Sequence, residues 1–149
     1  MSQHSVEINW ENAPNKLAEN TYNRNHRVAL SGDQVIHASS APEYKGDPDC
    51  ADPEQLLVSA LSSCHMLTFL AIAELKGFVV QSYNDKATGY LEKGESGRPE
   101  VTRIELSPRI EYSGENRPDA ATLKRMHESA HKNCFIANSL KTKVEVLES

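Results

Sequence analysis

The sequence predicts an α+β domain in which antiparallel β-sheets pack against a long central helix and a second, shorter helix. Three observations support this class: short segments alternate apolar and polar residues, one long apolar segment carries helix start and stop signals, and an amphipathic segment follows late in the chain. The length of 149 residues and the 38% of hydrophobic residues suit a single globular domain over residues 1–149.

Three short strands are expected before the long helix. Residues 5–10 alternate apolar and polar side chains, as a strand does. Residues 26–30 and 34–38 flank the turn-like residues 31–33, which predicts a hairpin. Residues 39–52 combine proline and glycine with polar side chains and are therefore predicted to form a loop.

The long helix has clear signals at both ends. Asp52 can cap the free N–H groups, Pro53 suits the first helical position, and Glu54 suits the positive end of the helix dipole. The helix is expected to run to about Lys76 and to stop at Gly77. Because apolar residues cover much of its circumference, it is predicted to be central and buried on several sides.

The remaining residues are expected to add further strands and the second helix. The predicted order of elements is β-β-β-α-β-β-α-β. After the long helix these are a strand at 78–91, a turn at 92–99, a strand at 101–112, a helix from Pro118 to about Lys132, one helical turn at 136–140 and a strand at 142–147.

The charge pattern argues against nucleic-acid and membrane partners. The net charge is -5, and lysine and arginine are scattered, so nothing attracts phosphate backbones or acidic lipids. No apolar run approaches the roughly 18 residues of a membrane span, and residues 1–9 have no signal-peptide character. A cytoplasmic protein is therefore predicted.

The three cysteines differ in their surroundings. An odd number of cysteines without a secretory signal argues against a structural disulfide framework, and a cytoplasmic disulfide is usually transient and catalytic. Cys50 lies beside Asp47 and Asp49, which raise a thiol pKa, so it is expected to be a bystander. Cys64 has two open interpretations, a small buried hydrophobe or a reactive thiol. If the fold brings Cys134 to it, the second thiol can resolve a sulfenic acid on the first.

Two arginines are candidates for activating Cys64. An adjacent guanidinium lowers a thiol pKa because it favours the charged form. Glu54 lies about 15 Å along the helix axis from Cys64, so it can act only through a bridging cation, which it could hold in a bidentate fork. Spacing leaves open whether Arg24 or Arg27 has this role, or whether both are simply solvent-exposed side chains at a strand end.

The histidines leave a metal site open as a weaker interpretation. His127, His131 and Cys134 fall at positions i, i+4 and i+7, and with Cys64 and His65 they would make a plausible zinc set. Two histidines on a half-exposed amphipathic helix are the favoured interpretation. We therefore predict neither a metal nor another cofactor.

Two segments together resemble the family of osmotically inducible protein C (OsmC) and the organic hydroperoxide resistance proteins (Ohr). The first segment, residues 52–66, is similar to the family's Pro-Glu-x-Leu helix start, with the reactive cysteine ten residues beyond the glutamate. The second, Asn133-Cys-Phe-Ile-Ala-Asn-Ser-Leu140 followed by the strand at 143–146, is similar to its distal cysteine and short Asn-Ser-Leu helix. The order of elements agrees over nearly the whole chain.

This resemblance implies an OsmC-like fold, an intertwined homodimer with two sites at the subunit interface, and a peroxidase that protects against oxidative stress. Cys64 would be the peroxidatic thiol and Cys134 the resolving thiol. Glu54 would pair with an arginine, best matched by Arg24 and next by Arg27. The substrate would be an organic hydroperoxide, with hydrogen peroxide as a second candidate, and the reductant a dithiol such as a lipoyl group.

Three positions depart from the family pattern. Residues 22–27 replace a Gly-Arg-Asp-Gly-like segment, Phe135 stands where proline is common, and His65 directly follows Cys64 as a candidate auxiliary residue. His65 favours a less characterised OsmC-like branch. Phe135 and His65 also motivate an alternative function, a dimeric protein that binds an apolar ligand or a metal in the interface cavity without turnover.

Overall fold

The computed structural model describes residues 1–147 and confirms the α+β class. Within these residues the chain forms two compact units, and the boundary falls after Leu56, inside the long helix. The helices are α1 (Pro53–Leu75) and α2 (Ala120–Asn133). The strands are β1 (Glu7–Asn9), β2 (His26–Ala29), β3 (Val35–Ala38), β4 (Val79–Asp85), β5 (Thr88–Lys93), β6 (Pro99–Leu106), β7 (Pro108–Ser113) and β8 (Lys143–Val146).

The first unit contains a three-stranded antiparallel sheet in the order β1-β2-β3. The predicted hairpin between β2 and β3 is confirmed, and its turn is a 3-10 helix at Ser31–Asp33. Gly32 and Asp33 both have positive φ angles, 66° and 59°, which lets so short a connection reverse the chain. The first strand is shorter than the predicted residues 5–10.

The ends of α1 follow the sequence signals closely. The backbone N–H of Gln55 donates to Asp52 Oδ1 at 2.8 Å, and the backbone N–H of Asp52 donates to Gln55 Oε1 at 3.0 Å. This reciprocal capping box satisfies two N–H groups that the helix leaves unpaired. At the other end the helix stops at Leu75, and Gly77 adopts a φ of 78° that favours glycine.

The prediction of two long strands after α1 is wrong, because each is divided. β4 pairs with β7 in one sheet, while β5 pairs with β6 in another. At the division the backbone N–H of Ser107 donates to Asp85 Oδ1 at 2.6 Å instead of to a neighbouring strand, and Pro108 has no N–H to donate. The chain therefore leaves one sheet and enters the other, and the order becomes β-β-β-α-β-β-β-β-α-β.

The predicted antiparallel sheets are confirmed, with one parallel pair among them. β8 lies parallel to β6, with Val144 opposite Ile104 and Val146 opposite Leu106. A parallel neighbour requires a crossover rather than a tight turn, and α2 provides it. The three-stranded sheet of the second unit therefore has the order β5-β6-β8.

Helix α1 buries one stripe rather than several sides. Its buried residues are Leu61, His65, Phe69 and Ala73, which recur every four positions. Leu67 and Leu75, by contrast, are 62% and 88% exposed. The predicted burial on several sides is therefore wrong for the single chain, because its buried residues all lie along this stripe.

Helix α1 also has the length and apolar composition of a membrane span. Among residues 1–147 it is the one helix long and apolar enough to cross a bilayer by length and composition, with a mean hydropathy of 1.9 over its most apolar window. The core helix of a soluble protein can have the same length and composition, and the buried stripe of α1 packs against protein.

Replacing Phe69 with alanine should destabilise the protein by about 3–5 kcal/mol, because its ring is fully buried against Tyr83 and His127. The same truncation at Phe135, whose side chain is 82% exposed, should change the free energy of unfolding by less than about 0.5 kcal/mol. Denaturant unfolding of both variants measures the difference. Equal losses would contradict the assigned core.

Candidate active site

The fold brings the thiols of Cys64 and Cys134 together. Cys64 lies midway along α1, and Cys134 caps the C-terminus of α2 in an extended conformation (φ -74°, ψ 115°). Both belong to the cluster built on Leu61, Ile104 and Leu106, and a side-chain hydrogen bond joins the two thiols. Both cysteines are free, so this is a reduced pair in direct contact.

Three successive backbone N–H groups surround the two sulfur atoms. The N–H of Ala137 donates to Cys134 Sγ at 3.4 Å. Hydrogen bonding by the N–H groups of Phe135 and Ile136 lowers the pKa of Cys64, and that of Ile136 also acts to lower the pKa of Cys134. The chain leaves α2 here and enters a 3-10 turn at Ala137–Ser139, and N–H groups at the start of a helical turn lack partners within it. Such successive N–H groups form a concave site that favours an anion, here a thiolate.

These donors decide the ionisation of Cys64. Burial alone would raise the pKa of its thiol, but hydrogen bonds from Cys134, the N–H groups of Ile136 and Phe135, and the Thr68 hydroxyl together lower the pKa below its ordinary value. Thr68 Oγ1 also donates to the Cys64 carbonyl at 2.8 Å, so its single proton is shared with that oxygen. Cys134 and the two N–H groups are therefore the main donors to the thiolate.

The second thiol is shifted in the opposite direction. Burial raises the pKa of Cys134, and its hydrogen bond to Cys64 raises it further. Cys134 is fully buried, whereas Cys64 is partly exposed. The pair is therefore asymmetric: Cys64 ionises first and is reachable from solvent, while Cys134 keeps its proton and donates it in a hydrogen bond.

Cys50 lies in the loop before α1, in the first unit. Burial raises the pKa of its thiol, and the charges of Asp47 and Asp49 raise it further. The same two aspartates led to the prediction from sequence that Cys50 is a bystander.

The predicted arginines and Glu54 lie in the first unit. Arg24 donates to Thr21 Oγ1 at 2.8 Å and to the Tyr22 carbonyl, and its guanidinium stacks on the Tyr22 ring at 3.7 Å. Arg27 is exposed on β2. Within the described chain, Glu54 forms no ion pair with either arginine, so the expected fork is not made in a single chain.

His65 turns into the interior of the second unit. Its Nε2 lies 3.0 Å from Nδ1 of His127, and the two rings stack with centroids 5.3 Å apart. Burial, with smaller contributions from the charges of His127 and His131, lowers the pKa of His65 to about 4, so it is neutral at pH 7. Over residues 1–147 no group of three His, Cys, Asp and Glu side chains is arranged to hold a metal ion.

The donors at residues 135–137 were missed by sequence reasoning, which looked at side chains alone. One signal was present: a short helical turn was predicted directly after Cys134, and such a turn begins with unpaired N–H groups. Phe135 matters for the same reason, since a proline there would have no N–H to donate.

Two free thiols of opposite pKa shift, in contact and beside backbone donors on an α+β fold, form a candidate thiol-redox site. The chain belongs to the OsmC-like protein family, whose family model matches residues 46–148, more than half of the chain. A comparison with curated protein sequences finds no match.

Solved structures with this fold include both OsmC-like and Ohr proteins. An OsmC-like protein of unknown function from Vibrio cholerae is 39% identical, with a TM-score of 0.92 and 100% of both chains covered. An organic hydroperoxide resistance protein OsmC from Legionella pneumophila is 14% identical, with a TM-score of 0.67 and coverage of 100% and 96%. The Ohr protein OhrB of Bacillus subtilis is 13% identical, with a TM-score of 0.70 and coverage of 99% and 98%. The last two comparisons concern the fold alone.

Replacing Phe135 with proline should raise the pKa of Cys64, because it removes one N–H donor to the thiolate. The extended backbone of Cys134 already suits a residue before proline, so we expect the variant to fold. The thiolate fraction of Cys64 below its pKa should fall by up to about tenfold, the effect of one hydrogen bond to a charged group.

Ultraviolet thiolate absorbance and alkylation rate against pH, both in a Cys50→Ser background, measure this change. Phe135→Ala keeps the N–H and is the matched control, which should titrate like the parent. An unchanged titration in Phe135→Pro, or an equal change in both variants, would show that this N–H does not stabilise the thiolate.

Proposed function

We propose that the protein is a thiol-dependent peroxidase that reduces organic hydroperoxides through Cys64 and Cys134 and protects against oxidative stress. The observation that carries the proposal is the direct contact between two free thiols with opposite pKa shifts. Peroxide reduction needs one ionised, accessible thiol and one protonated thiol within bonding reach. Similarity to proteins named for organic hydroperoxide resistance agrees with this chemistry.

In the first step the Cys64 thiolate attacks one oxygen of the hydroperoxide. An S–O bond forms, the O–O bond breaks, and the leaving alkoxide takes a proton to become an alcohol. Cys64 is oxidised to a sulfenic acid and the peroxide is reduced. The N–H groups of Phe135 and Ile136 hold the thiolate before this attack.

In the second step the sulfur of Cys134 attacks the sulfenic sulfur of Cys64. A disulfide forms, and the hydroxyl group leaves as water with the proton of Cys134. Because the thiols already share a hydrogen bond, this step needs little rearrangement. An external dithiol, of which a lipoyl group is our candidate, then reduces the disulfide by exchange. No prosthetic group takes part, and the proposed compartment is the cytoplasm.

Arg24 is the proposed partner for the peroxide oxygen that becomes the alkoxide, with Arg27 as the second candidate and Glu54 as the group that holds the guanidinium. A guanidinium stabilises a developing negative charge and does not lose its own charge at physiological pH. The thiolate, by contrast, is already stabilised by backbone donors, so the arginine's main contribution falls on the leaving group. Backbone N–H groups therefore stabilise the thiolate, and the arginine stabilises the leaving alkoxide, so the arginine does not have to lower the thiol pKa alone.

The protein is also proposed to be a homodimer. Leu67, Ala71 and Leu75 lie on one face of α1 at a spacing of four residues, and all three are exposed. An apolar helix face of this kind is typical of a surface that a partner covers. A second copy of the chain is the partner that the family resemblance implies.

Cys64→Ser should lose turnover of cumene hydroperoxide in the presence of dithiothreitol or dihydrolipoamide, since the serine hydroxyl is not a thiolate. A coupled peroxidase assay measures the loss, and Cys50→Ser is the matched control that should keep parent activity. Full activity in Cys64→Ser would contradict the proposal.

One equivalent of organic hydroperoxide should reduce the intact mass of the protein by about two units, the mass of two hydrogen atoms lost in forming a disulfide. Peptide mapping should place the disulfide between Cys64 and Cys134. Cys134→Ser should instead gain oxygen at Cys64, because nothing resolves the sulfenic acid. If Cys64 gains no mass in the Cys134→Ser variant, Cys134 is not the resolving thiol.

Leu67→Asp should shift the protein from dimer to monomer, because it places a charge in the apolar face of α1. Sedimentation velocity measures the change. Leu17→Asp, at a leucine of similar exposure in the first unit, is the matched control. Dissociation of both variants, or of neither, would show that this face of α1 is not the contact.

A further inference from the structure

A cavity of about 410 Å³ lies in the second unit, between α2 and the strands β7 and β8. Its volume falls within the range of small-molecule pockets. Most of its wall is apolar and is formed by Pro108, Ala120, Leu123, Val144, Val146 and Leu147. A ligand with an alkyl or aromatic body would therefore find complementary surface there.

Among residues 1–147, the polar part of the wall comes from α2. Lys124, His127, Glu128 and His131 line the cavity. Lys124 and Glu128 are exposed and lie one helical turn apart, so their charges offset each other in water. His131 is also exposed, whereas His127 is only 9% exposed. Of the described polar side chains in this wall, His127 is thus the one that is buried in the protein interior.

Within residues 1–147, one ring nitrogen of His127 has no hydrogen-bond partner in the protein. Its Nδ1 is bonded to Nε2 of His65 at 3.0 Å, and its ring stacks on Phe69. In the described part of the chain, the buried side-chain N and O atoms without a partner are His65 Nδ1, Tyr83 OH and Tyr112 OH. His127 Nε2 is not among them, so this nitrogen is not fully enclosed by protein, and His127 lines the cavity.

The buried end of the pair decides which nitrogen carries the proton. Burial lowers the pKa of both histidines, so each neutral ring carries one N–H. If His127 donated to His65, an N–H of His65 would be buried without an acceptor. If His65 donates, only a lone pair is left unpaired at its Nδ1, which is the less costly defect. His65 is therefore the donor, and His127 carries its own proton on Nε2.

We propose that this cavity binds a small organic monocarboxylate, whose apolar body lies against the valine and leucine wall and whose carboxylate accepts the Nε2–H of His127. A carboxylate is favoured over a neutral group because a charge-assisted hydrogen bond is stronger than a neutral one. Lys124 and His131 add donors at the wall. The carboxylate of Asp85, which also acts on His127, is occupied by Ser62 and the N–H of Ser107.

This site does not depend on the proposed peroxidase activity, since its ligand contains no peroxide bond and contacts neither reactive cysteine. It also differs from the alternative considered from the sequence, because the recognition group is a buried histidine in the second unit. The ligand class follows from one fixed donor surrounded by an apolar wall.

Isothermal titration calorimetry of the reduced full chain with decanoate and with decanol, both below micelle concentration, tests the proposal. We expect decanoate to bind at one site per chain, at least about tenfold more tightly than decanol. His127→Leu should reduce decanoate affinity by at least about tenfold and leave decanol affinity within about threefold. Octanoate should bind more weakly than decanoate, by up to about fourfold for each methylene group.

His37→Leu, at an exposed histidine in the first unit, is the matched control and should bind like the parent. If His127→Leu does not fold, imidazole 15N shifts of the parent protein give the same answer: decanoate should shift His127 Nε2 and decanol should not. Failure of decanoate to bind, equal affinity for decanoate and decanol, or parent-like decanoate affinity in His127→Leu would each overturn the proposal.

Discussion

The packing of α2 against the buried stripe of α1 is the constraint on which the second unit depends. Phe69 and His65 on α1 meet His127 on α2 through stacked rings and a hydrogen bond. With this stretch of α2 fixed, its C-terminus lies beside the middle of α1, and Cys134 meets Cys64. A shift of one helical turn, about 5.4 Å, would separate the two sulfur atoms.

The same packing separates two kinds of chemistry along one helix pair. On one side of the stripe, the thiols and the N–H groups of residues 135–136 form a site that favours a thiolate. On the other side, His65 and His127 form a buried neutral pair, and His127 lines a cavity. Cys64 and His65 are adjacent in sequence, yet they face different environments because successive helical residues point about 100° apart.

Backbone donors give the site a stability that side chains alone would not. An arginine must be held in place by further residues, and its long side chain loses rotamer freedom when it is fixed. The N–H groups after α2 are positioned by the helix end itself, at no side-chain entropy cost. In the proposed mechanism, a thiolate held in this way is ready before the hydroperoxide arrives, which leaves the proposed guanidinium free to stabilise the leaving alkoxide.

The sequence by itself determined the α+β class, the first hairpin, both ends of α1 and the two cysteines worth comparing, because these depend on local capping, turn and periodicity signals. Only the tertiary structure decided that strands 78–91 and 101–112 each divide, since Asp85 and Ser107 are 22 positions apart and meet only in the fold. It also decided that the thiols touch and that His65 faces His127. Contacts between residues distant in sequence depend on how elements pack, and no local pattern contains that information.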